Sequence, residues 1–77
     1  MNLDDFIKKL AELFEETDSS EIKADTVFHD LDEWSSLMGL NVIAMIDEEY
    51  GVLLKGDEIK NSKTFADLFE IVKTKKA

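Results

Sequence analysis

Few side chains in this chain could take part in covalent or acid–base chemistry. The sequence contains no cysteine and one histidine, His29, which excludes thiolate nucleophiles and Cys–His pairs. No spacing of serines and carboxylates around His29 arranges a nucleophilic triad, and no glycine-rich phosphate loop occurs. A lone histidine among apolar loop residues is usually structural or solvated. We therefore predict no catalytic residue.

The acidic run Asp30-Leu31-Asp32-Glu33 is similar to the beginning of a calcium-binding loop. An EF-hand loop that starts at Asp30 needs an oxygen ligand at its fifth position, glycine at its sixth and glutamate at its twelfth. The chain has Trp34, Ser35 and Asn41 at these positions. The loop pattern is therefore not met, and we predict no defined metal site. A divalent-ion sensor stays as a third hypothesis for the function.

A pair of hydroxyls, Ser35 and Ser36, precedes a long apolar helical pattern. A serine at the start of a helix is most often an N-cap, and we predict that Ser36 caps this helix. An exposed hydroxyl at this point also lies where free backbone N–H groups and the helix dipole favour a phosphate. No base in the sequence is placed to activate the hydroxyl, so a reaction at Ser36 would need an external enzyme.

Two long helical patterns lie on either side of a connection. The first spans about residues 3–16, where apolar residues recur at three- and four-residue steps after an Asn2 cap. The second spans residues 36–50 and ends before Gly51, a residue typical of the position after a helix. Both patterns predict amphipathic helices that must bury a face.

The connection between these helices, residues 17–35, is long for a compact domain and has an irregular pattern. Its apolar residues are predicted to anchor it to the core: Ile22, Val27, Phe28 and Leu31. Trp34, the single tryptophan, is predicted to be a partly buried anchor, although a partner contact would also suit it. A short strand here finds no partner strand with alternating polarity.

The remainder of the chain contains a short helical turn at about residues 57–60 and a last helix that begins at Thr64. Thr64 and Asp67 have the spacing of a capping box. The predicted fold is thus all-α: a small four-helix bundle in one domain, residues 1–77. It has three main helices, one short helix and a long loop between helices 1 and 2.

The second helix is apolar nearly all round. At about 100° per residue, the predicted core side contains Gly39, Val42, Ile43, Ile46 and Tyr50. A different side contains Leu37, Leu40 and Ala44, with Asn41 and Glu48 beside them, and a third sector contains Met38 and Met45. A domain this small cannot bury every side of the second helix. An apolar stripe that stays exposed would therefore indicate a partner-binding face. Cover by neighbouring helices and the long loop is the alternative.

Acidic residues outnumber basic ones by 18 to 9, which gives a formal net charge of −9. Such a surface repels phosphate backbones, so we expect no nucleic-acid partner. It favours partners with basic docking patches, although solubility alone would explain the same charge. No stretch approaches the roughly 20 apolar residues of a membrane span, and the acidic N-terminal segment does not resemble a signal peptide. We expect a cytoplasmic monomer without membrane insertion.

The serine pair and its flanking segments resemble the acyl carrier protein family. That family has Asp-Ser-Leu at the start of its second helix, and the matching residues here are Ser35-Ser36-Leu37. The segments 26–31, 43–52 and 64–68 resemble the family's loop before the signature, its acidic second-helix ending and the start of its last helix. The resemblance covers nearly the whole chain, in order and without large gaps.

The resemblance implies that this protein is a carrier and not an enzyme. In the family, a phosphopantetheinyl transferase uses magnesium and coenzyme A to attach 4′-phosphopantetheine to the serine that matches Ser36. The thiol of this arm holds acyl groups as thioesters, and the protein presents them to its partners. The implied partners are the transferase and the enzymes that load and process acyl chains in fatty acid or polyketide-type synthesis.

The resemblance also implies a partner-binding surface along the second helix. The residues assigned to this surface are Leu37, Met38, Leu40, Asn41, Ala44, Asp47 and Glu48. The first half of the helix would supply apolar contacts, and the acidic ending would supply charge.

One residue departs from the family's signature. The aspartate before the modified serine is replaced by Ser35, and in the family that carboxylate helps the transferase and its magnesium ion. Ser35 adds a second hydroxyl, but Leu37 after Ser36 favours Ser36 as the attachment point. The alternative hypothesis is an unmodified helical interaction module, which keeps the fold and the acidic helix without the arm.

Overall fold

The computed structural model describes residues 2–76, so the two ends of the predicted domain lie outside the described residues. The described part contains four α-helices, α1 (Leu3–Leu13), α2 (Ser36–Tyr50), α3 (Gly56–Asn61) and α4 (Phe65–Lys76). It forms no β-strand, which confirms the all-α class. None of the helices in this part has both the length and the apolar composition needed to cross a membrane.

All four helices contribute side chains to one apolar core. Its fully buried members include Phe6, Leu10, Val42, Ile46, Leu68 and Val72. The Phe6 ring joins α1 to α4, because its centroid lies 5.3 Å from that of Phe69. Complete burial of each such side chain stabilises the folded state by about 1.5–3 kcal/mol, so these contacts hold the helices together.

Helix α1 is shorter than its apolar pattern predicts, because it ends at Leu13 and not near residue 16. The Glu33 carboxylate accepts hydrogen bonds from the backbone N–H groups of Glu15 and Glu16 at 3.0 and 3.1 Å. It also accepts one from the Thr17 hydroxyl at 2.7 Å. These bonds hold the chain in a turn after α1, so the helix does not continue.

The long connection, residues 14–35, is anchored by apolar side chains as predicted. Ile22 and Phe28 are buried, and Val27 and Leu31 are half-buried. Two short 3-10 turns interrupt the predicted irregular backbone, at Ser19–Glu21 and Phe28–Asp30. Such turns satisfy backbone hydrogen bonds locally, which allows the connection to stay close to the core.

The backbone of the long connection also pairs with the start of α4. Val27 and Thr64 form an isolated antiparallel bridge, and the Ala66 N–H donates to the Ala24 carbonyl at 2.8 Å. A pairing this short needs no alternation of apolar and polar residues. The sequence pattern therefore contained no signal for it.

An aromatic cluster lies beside the start of α2. The Phe28 ring stacks on Phe65 with 4.9 Å between centroids, and it contacts Trp34 at 4.7 Å. Phe14, which follows α1, packs edge-on against Phe65 at 6.2 Å. Each pair of this kind contributes about 0.5–1.5 kcal/mol beyond the area that it buries. Because Trp34 lies just before α2, the cluster connects the segment that precedes α2 to Phe65 at the start of α4.

Helix α2 has the predicted bounds, but its N-cap is Ser35 and not Ser36. The Ser35 Oγ accepts a hydrogen bond from the Met38 N–H at 3.1 Å, as an N-cap does. At the other end, Gly51 has φ 66° and ψ 26°, a left-handed conformation that glycine adopts without a steric penalty. Ser36 is therefore the first helical residue.

Side-chain caps also set the starts of α3 and α4. The Glu58 carboxylate accepts the Lys55 N–H at 2.9 Å, and α3 begins at Gly56, one residue before the predicted turn. The Thr64 hydroxyl accepts the Asp67 N–H at 3.2 Å, and the Asp67 carboxylate accepts the Thr64 N–H at 3.1 Å. This reciprocal pair is the predicted capping box.

Candidate functional site

Ser36 lies at the first position of α2, and its side chain is exposed. The capping bond belongs to Ser35, so the Ser36 hydroxyl is not engaged in holding the helix start. The first turn of α2 contains no acidic residue, and the positive end of the dipole of this 15-residue helix lies at the hydroxyl. A phosphate on the Ser36 oxygen would therefore lie in a favourable field.

The buried side of α2 is rotated from the predicted core side. Val42 and Ile46 are fully buried, as predicted. Gly39, Ile43 and Tyr50 are half-buried, so they lie at the border of the core. The centre of the buried side is therefore close to Val42.

Met38 is a correction to the predicted partner-binding surface, because only 7 % of it is exposed. It precedes Val42 by one helical turn and Ile46 by two, so the three side chains share one side of α2. A helix that is apolar nearly all round does not reveal from its pattern which sector faces the core. Met38 belongs to the core, and its assignment to the surface is wrong.

The side of α2 opposite Val42 is exposed along its length. Leu37 and Leu40 are 67 % and 62 % exposed, so neighbouring helices and the long connection do not cover them. The exposed side, here called the α2 stripe, consists of Leu37, Leu40, Asn41, Ala44, Asp47 and Glu48. It is apolar next to Ser36 and acidic at its far end, about 16 Å away at 1.5 Å per residue.

A groove of about 420 Å³ lies beside Ser36, between α2 and α3. Ser36 itself is one of its lining residues. Its walls, here called the α2–α3 groove, include Trp34, Leu40, Ile43, Ile59, Lys60 and His29. A larger hollow of about 660 Å³ between α1 and α2 is lined mainly by charged side chains and does not include Ser36.

His29 is bound to the end of α3. Its Nε2 lies 3.2 Å from the Ile59 carbonyl oxygen and 3.0 Å from the Ser62 carbonyl oxygen. Both oxygens can only accept hydrogen bonds, so Nε2 carries a proton and shares it between them. This nitrogen is therefore not available as a base for Ser36.

Sequence reasoning did not identify the groove as part of the site. His29 and Ile59 are 30 residues apart, and they meet only because α3 folds back against the long connection. Trp34 is half-buried, as predicted for an anchor, and it also lines the groove. The one available signal was a large aromatic residue just before the serine pair.

The acidic run 30–33 has a structural role at Glu33. Hydrogen bonds hold the pKa of the Glu33 carboxyl below its usual range, with the Thr17 hydroxyl as the largest cause and the Glu16 and Glu15 N–H groups adding to it. Across residues 2–76, no three histidine or acidic side chains are arranged to hold a metal ion.

Comparison of the chain with protein-family models, with curated proteins and with solved structures gave no match. The resemblance to the acyl carrier proteins therefore rests only on Ser35-Ser36-Leu37 and the flanking segments described above. The function is accordingly inferred from the chemistry of Ser36, the α2 stripe and the α2–α3 groove.

Proposed function

We propose that this protein is an acyl carrier protein with a four-helix-bundle fold, which holds acyl groups on a phosphopantetheine arm attached to Ser36. The observation that carries the proposal is the uncommitted hydroxyl of Ser36 at the start of α2, beside the α2–α3 groove. The role is that of a carrier and not of an enzyme. The one histidine of the chain is engaged with the Ile59 and Ser62 carbonyls, so activation of Ser36 is left to a separate transferase.

The residues around Ser36 fit a phosphopantetheine arm. Exposure of the oxygen allows a bulky substituent, and the positive end of the α2 dipole favours a phosphodiester. The apolar walls of the α2–α3 groove suit an alkyl chain that folds back onto the protein. When attached, the arm supplies a thiol that bonds acyl groups as thioesters. The chain has no cysteine, so no protein thiol competes for them.

Attachment of the arm uses the Ser36 oxygen as the nucleophile. This oxygen bonds to the phosphorus that bears pantetheine in coenzyme A, and the bond from that phosphorus to the adenosine-bearing phosphate breaks. Adenosine 3′,5′-bisphosphate leaves, and the serine proton passes to a base of the transferase. The chain contributes an exposed hydroxyl that no capping bond withdraws, because Ser35 makes that bond.

The α2 stripe suits partners with an apolar pocket near the reacting centre and basic residues further away. Leu37 and Leu40 would fill the apolar pocket, since both are largely exposed. Asp47 and Glu48 would pair with the basic residues. Electrostatic attraction of this kind acts over about 8 Å at physiological salt and mainly speeds docking, so the apolar contacts would govern how long the complex lasts.

Ser35 favours a second candidate function, a helical interaction module without an arm. It keeps the cap of α2 but brings no carboxylate, and the first turn of α2 has no acidic residue. The transferase would then lack a group that helps to hold its magnesium ion. Such a module would bind partners through the same α2 stripe while Ser36 stayed unmodified.

The intact mass of the protein after incubation with coenzyme A, magnesium and a broad-specificity phosphopantetheinyl transferase tests the proposal. A gain of one arm in the wild type and in Ser35→Ala, but not in Ser36→Ala, would support the carrier. A gain in Ser35→Asp alone would show that the missing carboxylate blocks attachment. No gain in any variant would favour the interaction module.

A further inference from the structure

The end of α3 is attached to the long connection through His29. The last carbonyls of a helix lack partners within the helix, and histidine side chains are among the groups that satisfy them. Here the His29 Nε2–H is shared between the Ile59 and Ser62 carbonyls at 3.2 and 3.0 Å. The imidazole thus ties two segments that lie 30 or more residues apart in the chain.

Helix α3 is otherwise weakly held. It has six residues and one buried side chain, Ile59. The ion pair of Glu58 with Lys75, at 3.2 Å, is partly exposed to solvent, and ion pairs of this kind contribute little. Ser62, which follows α3, is buried and donates through its hydroxyl to the Glu58 carbonyl at 2.8 Å. A segment with few buried apolar contacts opens readily, so the His29 bonds add to the contacts that hold the end of α3 in place.

The same imidazole lines the α2–α3 groove together with Ile59 and Trp34. The ring of His29 packs edge-on against that of Trp34, with 5.5 Å between centroids, and Trp34 lies just before the serine pair. His29 therefore connects the α3 wall of the groove to the segment that precedes Ser36.

We propose that His29 is a positioning residue that sets the width of the α2–α3 groove by holding α3 against the long connection. Loss of its hydrogen bonds frees the end of α3 and lets the groove beside Ser36 open. The functional part of this inference rests on the proposed function, because the width of the groove has an effect only on an arm attached to Ser36. The tie itself belongs to the unmodified chain and is measurable there.

Hydrogen–deuterium exchange of the unmodified protein tests the tie. His29→Leu keeps the bulk of the side chain and removes the donor, whereas His29→Gln keeps an N–H donor. We expect amides of residues 56–62 to exchange about five- to tenfold faster in His29→Leu, as the loss of one hydrogen bond implies. The core amides of α1 and α4 should not change, and His29→Gln should restore slow exchange.

Glu33→Ala is the matched control, because it breaks the other side-chain tie of the long connection, at the end of α1, and does not touch α3. Collisional quenching of Trp34 by acrylamide supplies the second readout. Quenching should increase in His29→Leu and stay at the wild-type level in His29→Gln. Glu33→Ala is a control for hydrogen exchange only, because Glu33 directly precedes Trp34.

Unchanged exchange of residues 56–62 in His29→Leu would overturn the proposal. Equal acceleration in Glu33→Ala, or equal acceleration throughout α1 and α4, would also overturn it, because the effect would then be general destabilisation. Neither measurement needs an arm on Ser36. A failed attachment reaction would therefore count against the proposed function and leave the role of His29 intact.

Discussion

The Ser35 hydroxyl lies 3.1 Å from the backbone nitrogen of Met38 and accepts its N–H, so the residue before the candidate attachment site caps α2. An aspartate at this position could make the same bond and would add a negative charge where the helix dipole favours one. Ser35 thus makes the capping bond that an aspartate would make, but it carries no negative charge. Substitutions at this position can separate stability from modification.

Removal of the cap should destabilise the protein, whereas removal of the attachment hydroxyl should not. We predict that Ser35→Ala lowers the free energy of unfolding by about 1 kcal/mol. Ser35→Asp should retain or raise stability, and Ser36→Ala should leave it close to the wild-type value because Ser36 makes no capping bond. Urea unfolding followed by circular dichroism measures this. An equal loss in Ser36→Ala would show that the cap is wrongly assigned.

Glu33 should make stability depend on pH. Hydrogen bonds lower the pKa of the Glu33 carboxyl in the folded protein, and the bond from the Thr17 hydroxyl is the largest cause. Glu33 therefore binds a proton more readily in the unfolded chain than in the folded protein. The stabilisation by Glu33 is therefore full at neutral pH and is lost as the pH falls through the lowered pKa. We predict that Glu33→Gln is less stable than the wild type at pH 7 and that the difference narrows as the pH falls below the usual pKa range of a glutamate carboxyl.

Urea unfolding of both proteins across this pH range measures the difference due to Glu33. The pKa values of Asp18 and Glu58 are also lowered, chiefly by the backbone N–H groups of Ser20 and Lys55. These two carboxyls lose their stabilisation in the same direction in both proteins, so they cancel in the comparison. A gap between the proteins that is as wide at pH 3 as at pH 7 would contradict the role of Glu33.

The parts of the fold that were predictable are those set by local signals. The bounds of α2 follow from the serine pair and Gly51, and the start of α4 follows from Thr64 and Asp67, which are three residues apart. The end of α1 was not predictable, because Glu33 stops the helix from 16 to 18 residues away. The local sequence of residues 14–17 contains no signal for a contact with a distant carboxylate.

The same distinction applies to the site. The position of Ser36 at the start of α2 follows from the helical pattern. The pattern left open whether Leu37 and Leu40 are exposed or covered, and the structure shows them exposed. The burial of Met38 does not follow from the pattern. A small rotation of an almost wholly apolar helix about its axis moves this residue from the surface to the core. The groove depends on how α3 folds back through His29, which is a tertiary contact without a periodic signature.

Tyr50 offers a test of core packing that is independent of function. Its hydroxyl is buried and has no hydrogen-bond partner among the described residues. Its ring packs near Phe6, at 5.8 Å between centroids, and under the Lys9 ammonium at 5.4 Å. Tyr50→Phe keeps the ring and removes the unpaired hydroxyl, so we predict that it raises the free energy of unfolding by about 1 kcal/mol.

Thermal and urea unfolding of Tyr50→Phe beside the wild type measure this change. Tyr50→Leu is the control, because it also removes the hydroxyl but loses the ring contacts with Phe6 and Lys9. It should be less stable than Tyr50→Phe. A loss of stability in Tyr50→Phe would mean that the hydroxyl is hydrogen-bonded in solution.

The α2 stripe can be tested with a matched leucine elsewhere on the surface. Leu37 and Leu40 are 67 % and 62 % exposed, and Leu53, which lies beyond the end of α2, is 71 % exposed. Serine at any of these positions should change the free energy of unfolding by less than about 0.5 kcal/mol, as for most surface substitutions. Only Leu37→Ser and Leu40→Ser remove apolar contacts next to Ser36.

We predict that the Leu37→Ser, Leu40→Ser double variant lowers kcat/KM of a phosphopantetheinyl transferase for this protein by at least about tenfold, since each buried interface leucine contributes more than about 1 kcal/mol. Leu53→Ser should leave kcat/KM unchanged. Glu48→Lys should act differently, because loss of a docking charge lowers the association rate and its dependence on salt. Equal effects of Leu53→Ser and the double variant would show that partners do not use the α2 stripe.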